Sequence, residues 1–180
     1  MSQEWVTAIM SILYILGGVL FLITAYVCFI GAPFIPTPQG VVDHMVKAAK
    51  LKSGMRVLDP GCGDARMILT AVRNHPGVTG IGYELFFVPY LLALFRTWKY
   101  RNRIKIFFRN SDYADLTSTD VMFCYMLQKP MQRNSEKYKR ELKKGAKIIS
   151  YAFEIPGWKY DEKLPSVPEK NFGPVFIYKM

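Results

Sequence analysis

The chain has 180 residues, with 24 Lys and Arg against 14 Asp and Glu, and a formal charge of +10. This length suits one sizeable domain with a single active centre and is too short for two domains of ordinary size. Three cysteines without a close pair and only two histidines argue against a disulfide framework or a zinc site, so no metal is expected.

The N-terminal segment is apolar, and no charged residue occurs between Glu4 and Asp43. Residues 5–30 exceed the roughly 20 apolar residues that cross a bilayer as a helix. A cleaved signal peptide would have a basic start and a shorter apolar core, so a retained single-pass transmembrane anchor over 5–30 is favoured. Basic residues follow this segment closely, and the positive-inside rule then predicts a membrane protein with its domain on the cytoplasmic or matrix face.

The next segment, GAPFIPTPQG at 31–40, contains three prolines, which disfavour a regular helix. We assign 31–42 to a proline-rich connector and 43–180 to the globular domain. The connector either only spaces the domain from the membrane or also covers a site.

Strand and helix patterns alternate through the rest of the chain. Helical periodicity is expected over 41–51, 64–74, 89–100 and 132–142, and strands over 56–59, 78–84, 104–108, 121–125, 146–153 and 173–180. This alternation predicts an α/β fold with a doubly wound, mostly parallel sheet of six or seven strands and a ligand at the carboxyl ends of the strands. The uncharged stretch 85–95 is too short to span a bilayer, and core packing is its expected role.

The turn after the first strand, DPGCGDAR, indicates what kind of ligand is bound. Gly61 and Gly63 permit a tight turn that lets backbone amides approach a ligand. Arg66 occupies the position where a dinucleotide fingerprint has Gly or Ala, and no Gly-Lys-Ser/Thr follows, so neither a pyrophosphate site nor a P-loop is expected. Asp59 at the strand end favours a ligand with positive charge, and Glu84 is placed to accept the hydroxyls of a ribose.

These residues resemble the class I S-adenosylmethionine-dependent methyltransferases, whose first motif is acid-x-Gly-x-Gly and whose second strand ends in an acid. The resemblance runs from about Val41 to the C-terminus and implies S-adenosylmethionine as the cofactor. It also implies that Asp112, in RNSDYADL, meets the adenine amino group beside Tyr113, whereas the alternative is that Asp112 only caps its loop. The implied cofactor residues are Asp59, Gly61, Gly63, Asp64, Arg66, Glu84, Asp112 and Tyr113.

The residues after the fourth strand exclude some classes of methyl acceptor. Methyltransferases for adenine and glutamine nitrogen carry Asn/Asp-Pro-Pro-aromatic there, whereas this chain has Cys-Tyr-Met-Leu at 124–127, and no Pro-Cys dipeptide is present for cytosine C5 chemistry. The basic cluster from Arg96 to Arg109 could bind nucleic acid, but a domain beside an anionic leaflet has its own reason to be basic. No nucleic-acid partner is therefore expected.

A more specific resemblance is carried by PFIPTPQGVVDHMVKAAKLKSGMRVLDPGCGDARMIL, GYEL and ELKKGAKIISYAFEIPGW. These segments look like the small membrane-anchored lysine methyltransferases that modify the ATP synthase c subunit and the mitochondrial adenine nucleotide translocase, and like their prokaryotic relatives. The chain departs from that family at Ala65, where a third Gly is common, and in CYMLQKPM after the fourth strand. The resemblance implies a lid over cofactor and acceptor that contains Phe34, Pro36 and Thr37.

The leading hypothesis is a membrane-anchored protein-lysine N-methyltransferase whose partners are a membrane-embedded protein substrate and the lipid bilayer. Tyr125 and Gln128 are the candidate catalytic residues that orient the amine, although Tyr125 could instead pack beneath the adenosine. A methyltransferase for a small amphipathic molecule, such as a lipid or quinone, and a non-catalytic cofactor-binding membrane module stay open as alternatives.

Overall fold

The computed structural model describes residues 3–30, 35–167 and 172–180, with only the backbone described over 23–30. The chain divides into two compact units, Met1–Pro33 and Phe34–Met180. Phe34, one of the residues expected in a lid, lies outside the described residues.

The first unit contains the long helix α1, Gln3–Ile30. Its stretch Gln3–Leu22 has a mean hydropathy of 2.2 and no buried residue. Within the described part of the chain, α1 is the helix that is long and apolar enough to cross a bilayer. The length and composition expected of an anchor over 5–30 are therefore present.

The second unit is built on a seven-stranded sheet of order β3-β2-β1-β4-β5-β7-β6. Its strands are β1 (Arg56–Asp59), β2 (Thr79–Glu84), β3 (Ile104–Phe108), β4 (Val121–Cys124), β5 (Lys147–Tyr151), β6 (Glu162–Leu164) and β7 (Val175–Lys179). Strands β1 to β5 are parallel, whereas β7 runs antiparallel to β5 and β6 antiparallel to β7. The predicted α/β fold with a mostly parallel sheet is confirmed. The sequence pattern does not predict strand β6, because its three residues include two exposed charged side chains.

Helix α2 (Gln39–Ala49) precedes β1, and three helices connect strands in the described part of the chain: α3 (Arg66–Asn74), α4 (Phe87–Thr97) and α5 (Gln128–Glu141). Helix α2 begins two residues before its expected start, inside the stretch assigned to the connector, and the carbonyl of Pro38 accepts hydrogen bonds from its first turn. Helix α5 begins four residues earlier than expected. Pro130 lies in its first turn, where the missing N–H costs no intrahelical bond.

The helices divide between the two faces of the sheet. Alternate strand residues point to opposite faces, so Val57 packs in the cluster that holds α2 and α3, and its neighbour Leu58 packs in the cluster that holds α5. Only Pro89, Ala93 and Thr97 of α4 are buried. The expectation that the uncharged stretch 85–95 packs in the core is therefore wrong for its large side chains, because most of them face solvent.

Candidate active site

The glycine turn folds over the carboxyl ends of β1 and β2. Asp59 ends β1, and its Oδ1 accepts a hydrogen bond from the backbone N–H of Gly61 at 3.1 Å. Glu84 ends β2, and its Oε2 accepts one from the N–H of Gly63 at 2.8 Å. Gly63 has φ +54°, a left-handed conformation that a residue without Cβ adopts at no steric cost. The structure thus brings Asp59, Gly61, Gly63 and Glu84 together.

Backbone donors also hold the second oxygen of Glu84. Its Oε1 accepts hydrogen bonds from the N–H groups of Leu85, at 2.9 Å, and Phe86, at 2.8 Å. A carboxylate has about four lone-pair sites, so three backbone bonds leave about one for a ligand hydroxyl. The carboxylate is therefore oriented before any ligand binds.

Asp59 and Glu84 are buried acids, and burial governs their protonation. Desolvation, with a further contribution from the carboxylates of Glu84 and Asp64, raises the pKa of Asp59 from 3.8 to about 7, against the opposing hydrogen bond from Gly61. Burial likewise raises the pKa of Glu84, despite its three backbone donors. Among the residues that the structure describes, no Lys or Arg forms a salt bridge with either acid. A ligand with positive charge would compensate this pair, which fits the methionine end of S-adenosylmethionine.

Asp64 behaves in the opposite way, because two guanidinium groups surround it. Its carboxylate forms salt bridges with Arg66 at 2.7 Å and with Arg96 at 3.3 Å. Burial alone would raise the pKa of Asp64, but the hydrogen bonds and charge of Arg66, with the charge of Arg96, lower it. Asp64 therefore stays ionised and is engaged within the protein.

Arg66 ties the end of the connector to the glycine turn. Its Nη1 donates to the backbone carbonyl of Thr37 at 2.8 Å. Nearby, the side-chain amide of Gln39 donates to the hydroxyl of Thr70 on α3 at 3.2 Å. Thr37 is half-buried, whereas Pro36 is exposed. The sequence predicts Arg66 among the cofactor residues and Thr37 in a lid, and the structure joins these two residues directly.

Asp112 lies in a short 3-10 turn, Ser111–Tyr113, and its carboxylate faces α5. It accepts a hydrogen bond from Asn134 at 2.7 Å and forms a salt bridge with Arg133 at 2.9 Å. Burial opposes these contacts, yet together with Asn110 they lower the pKa of Asp112. Tyr113 is exposed, with the guanidinium of Arg109 5.3 Å from its ring centroid. A role for Asp112 at the adenine stays a prediction, and the structure adds a second role in holding α5.

The candidate catalytic residues follow β4. Tyr125 is half-buried, and its ring packs edge-on against Tyr151 with centroids 4.9 Å apart. Burial and the neighbouring Tyr151 raise the pKa of Tyr125, so its hydroxyl stays protonated at neutral pH. Gln128 is the first residue of α5 and is exposed. Both residues lie at the carboxyl edge of the sheet, where the prediction placed them.

Three residues of this region were not among the predicted site residues: Arg96, Met126 and Tyr151. The thioether of Met126 lies 3.5 Å from where a Cβ on Gly61 would stand, so the loop after β4 reaches the glycine turn. Tyr151 ends β5, and its position at a strand end could have identified it. The sequence places Arg96 only in a basic cluster, and its pairing with Asp64 could not have been predicted, since the two residues are 32 positions apart and only folding brings them together.

A seven-stranded sheet with an antiparallel β7, a glycine turn after β1 and an acid at the end of β2 define the class I methyltransferases that use S-adenosylmethionine. A family model described as the ANTKMT methyltransferase domain matches residues 59–162. The chain belongs to this family and is an S-adenosylmethionine-dependent methyltransferase. This confirms the predicted family, the predicted methyltransferase activity and the predicted cofactor.

Curated relatives are found in an archaeon and in mammals. A protein-lysine N-methyltransferase of Saccharolobus islandicus (strain REY15A) is 32% identical over 149 residues, which cover 81% of this chain and 92% of the relative. A lysine N-methyltransferase for the ATP synthase c subunit, from Mus musculus, is 29% identical over 133 residues, 72% of this chain and 52% of the relative. The chain thus spans about half of that mouse protein.

Solved structures show the same fold. An RNA methyltransferase from Salinibacter ruber in complex with S-adenosyl-L-homocysteine superposes with a TM-score of 0.74 at 23% identity, covering 81% of this chain and 93% of the other. A precorrin-6y C5,15-methyltransferase from Geobacter metallireducens gives a TM-score of 0.64 at 16% identity, covering 81% and 88%. Such different methyl acceptors show that this fold alone does not define the substrate.

Proposed function

We propose that the protein is a membrane-anchored protein-lysine N-methyltransferase that acts on a membrane-embedded or membrane-proximal protein. The observation that carries the proposal is the 32% identity with the Saccharolobus protein-lysine N-methyltransferase over nearly all of that relative. The lysine specificity in the name of the mouse relative supports the same acceptor. The apolar helix α1 supports a site of action at the membrane.

We assign the cofactor to the edge formed by β1, β2 and the turn after β3. We place Asp59 at the cationic methionine end, because this buried acid has no basic partner in the described chain that could balance its negative charge. Glu84 accepts a ribose hydroxyl, the turn with Gly61 and Gly63 gives backbone access, and Asp112 with Tyr113 lies on the adenine side. Asp64 and Arg66 act indirectly, by holding Thr37 beside the turn.

When bound, S-adenosylmethionine supplies an electrophilic methyl group. The protein has to align a neutral amine with it and exclude water, and such alignment can contribute up to about 7–11 kcal/mol. A lysine with a reference pKa of about 10.4 loses its proton at pH 7 at a cost of about 4.6 kcal/mol. This deprotonation does not require a dedicated base. We assign the hydroxyl of Tyr125 and the amide of Gln128 to orienting this amine, with the Tyr151 ring fixing Tyr125.

Labelling of membranes tests the acceptor. The purified full chain is incubated with native membranes and methyl-labelled S-adenosylmethionine, and we expect label on lysine in a protein band. At a cofactor concentration near the wild-type dissociation constant, the Asp59→Asn variant is expected to give much weaker label, whereas Asp43→Asn, at an exposed position of α2, is expected to label normally. Label found only in lipid or quinone would overturn the proposal in favour of an enzyme for a small amphipathic acceptor.

Extraction tests the anchor. The full chain expressed in membranes should stay in the pellet under alkaline carbonate, because α1 spans the bilayer. Substituting Leu13 and Leu16, both exposed on α1, by Arg should release it, since each charge at a helix centre costs about 2.5–3.5 kcal/mol. Proteolysis from the cytoplasmic or matrix side is expected to degrade the domain. Recovery of the unaltered chain in the carbonate supernatant would refute the anchor.

A further inference from the structure

Helix α4 has its large apolar side chains on the side away from the core. The residues that it buries are small and spaced by four: Pro89, Ala93 and Thr97. On the opposite side lie large apolar residues that form what we term the α4 surface: Phe87, Val88, Leu91, Leu92, Phe95 and, just beyond the helix, Trp98. They are 43–82% exposed. A helix at a water-facing surface shows the reverse pattern, with polar residues outside.

The α4 surface continues to the carboxyl edge of the sheet. Phe108, the last residue of β3, is 53% exposed, and its ring lies 5.9 Å from that of Phe87 and 5.2 Å from that of Tyr90. The start of α4 is joined to the site as well, because Glu84 accepts the hydrogen bonds of Leu85 and Phe86. The exposed apolar area therefore adjoins the cofactor edge.

The charges around this area have one sign. No Asp or Glu occurs between Glu84 and Asp112, and the six charged residues in that stretch are basic: Arg96, Lys99, Arg101, Arg103, Lys105 and Arg109. Arg96 pairs with Asp64, whereas in the described part of the chain the other five form no salt bridge. Arg101 lies over the Trp98 ring, 4.7 Å from its centroid. Apolar side chains with Trp at their edge and Lys and Arg around them are typical of a protein surface at the lipid headgroups.

We propose that the α4 surface inserts into the headgroup and acyl-chain boundary of an anionic bilayer, as a membrane contact of the domain separate from α1. Charge decides among the possible occupants. A second copy would bring two basic stretches together, and a protein partner would need both an apolar patch and an acidic rim. An anionic leaflet supplies both the apolar phase and the negative charge. The consequence is that the cofactor edge is held at the membrane surface, where a lysine close to the bilayer can reach it.

Trp98 reports on this contact directly. The full chain, with Trp5→Phe and Trp158→Phe, is reconstituted into protein-free vesicles that contain phosphatidylglycerol and lipids with brominated acyl chains, which quench a tryptophan within the bilayer. The matched control keeps Trp158 instead, with Trp5→Phe and Trp98→Phe. Trp158 is half-buried and packs edge-on against Tyr178, in the cluster on the α5 side of the sheet. We expect a blue shift and strong quenching for Trp98, and little quenching for Trp158.

One double variant and one change of lipid composition make the experiment decisive. Introducing Leu91→Glu and Phe95→Glu together should abolish the quenching of Trp98, while thermal unfolding and cofactor binding are retained, since both side chains face solvent. Quenching should also weaken in vesicles of phosphatidylcholine alone. Quenching of Trp98 no greater than that of Trp158 would overturn the proposal, as would cross-linking between copies that shields Trp98 from the brominated lipid. The vesicles contain no methyl acceptor, so the outcome does not depend on the identity of the substrate.

Discussion

Asp59, which we propose contacts the cofactor, also carries a cost in stability, and replacing it by Asn separates the two effects. The carboxyl group is buried at the end of β1, where its pKa is raised from 3.8 to about 7. Below about pH 4 it is protonated in both the folded and the unfolded chain. Between about pH 4 and 7 the unfolded chain ionises while the folded domain keeps the proton, so the free energy of unfolding falls as pH rises and is lowest above pH 7.

The size of this effect follows from the pKa. A shift from 3.8 to about 7 corresponds to about 4 kcal/mol of stability lost above pH 7. Asn carries no charge at any pH and keeps an oxygen that can accept the hydrogen bond from Gly61. Asp59→Asn should therefore unfold at a temperature higher by about 8–16 °C at pH 8 and about the same at pH 4. Near-UV circular dichroism of the full chain in detergent micelles measures these transitions.

The same variant should bind the cofactor poorly. A hydrogen bond to a charged group contributes about 1.5–3 kcal/mol, so S-adenosylmethionine affinity should fall by about 10- to 100-fold in calorimetry. Asp43→Asn, at an exposed position of α2, is the matched control and should alter neither property. Unfolding temperatures of wild type and Asp59→Asn that run parallel from pH 4 to 8 would refute the assigned pKa. A more stable variant with unchanged affinity would refute the cofactor role alone.

Three further outcomes are expected. Because ionised Asp59 favours binding of a cation, the dissociation constant for S-adenosylmethionine should rise below pH 7 in calorimetry, by up to about tenfold per pH unit, until it reaches the loss of about 10- to 100-fold expected for Asp59→Asn. A flat profile would contradict this. Arg66→Ala should lower the free energy of unfolding by about 1–3 kcal/mol in urea titrations, since buried Asp64 loses a partner. The control Arg73→Ala, at an exposed position of the same helix, should change this free energy little. Equal effects of the two substitutions would count against the salt bridge between Arg66 and Asp64. Tyr125→Phe should slow single-turnover methyl transfer more than it weakens cofactor binding, and an unchanged rate would remove its hydroxyl from the mechanism.

Much of the proposed cofactor edge was predictable because its determinants are local. The strand that ends in Asp59 and the turn with glycines at 61 and 63 can be predicted from a few neighbouring residues. The position of the acid at the end of the next strand, close to this turn, follows from the rule that parallel strands end at the same edge of a sheet. Ala65 departs from the family pattern, and the structure places it in a left-handed conformation with φ +60°, which explains why glycine is common there.

The partners of these residues were not predictable, because they depend on chain segments distant in sequence. The ties from Arg66 to Thr37 and from Asp112 to Asn134 join segments 29 and 22 residues apart. The orientation of α4 was not predictable either. The uncharged stretch 85–95 suggests a buried helix, and only the burial of Pro89 and Ala93 shows that the large side chains of α4 are outside.

The sequence by itself determined the class of the fold, the glycine turn, the acids at the strand ends and an N-terminal helix long enough to span a bilayer. These features are encoded by periodicity, by glycine conformation and by apolar length, each of which acts over a few neighbouring residues. Only the tertiary structure decided which charges neutralise each other, which acid lacks a basic partner among the described residues and which face of α4 meets solvent. Those properties depend on burial and on distances between remote segments, and these exist only once the chain has folded.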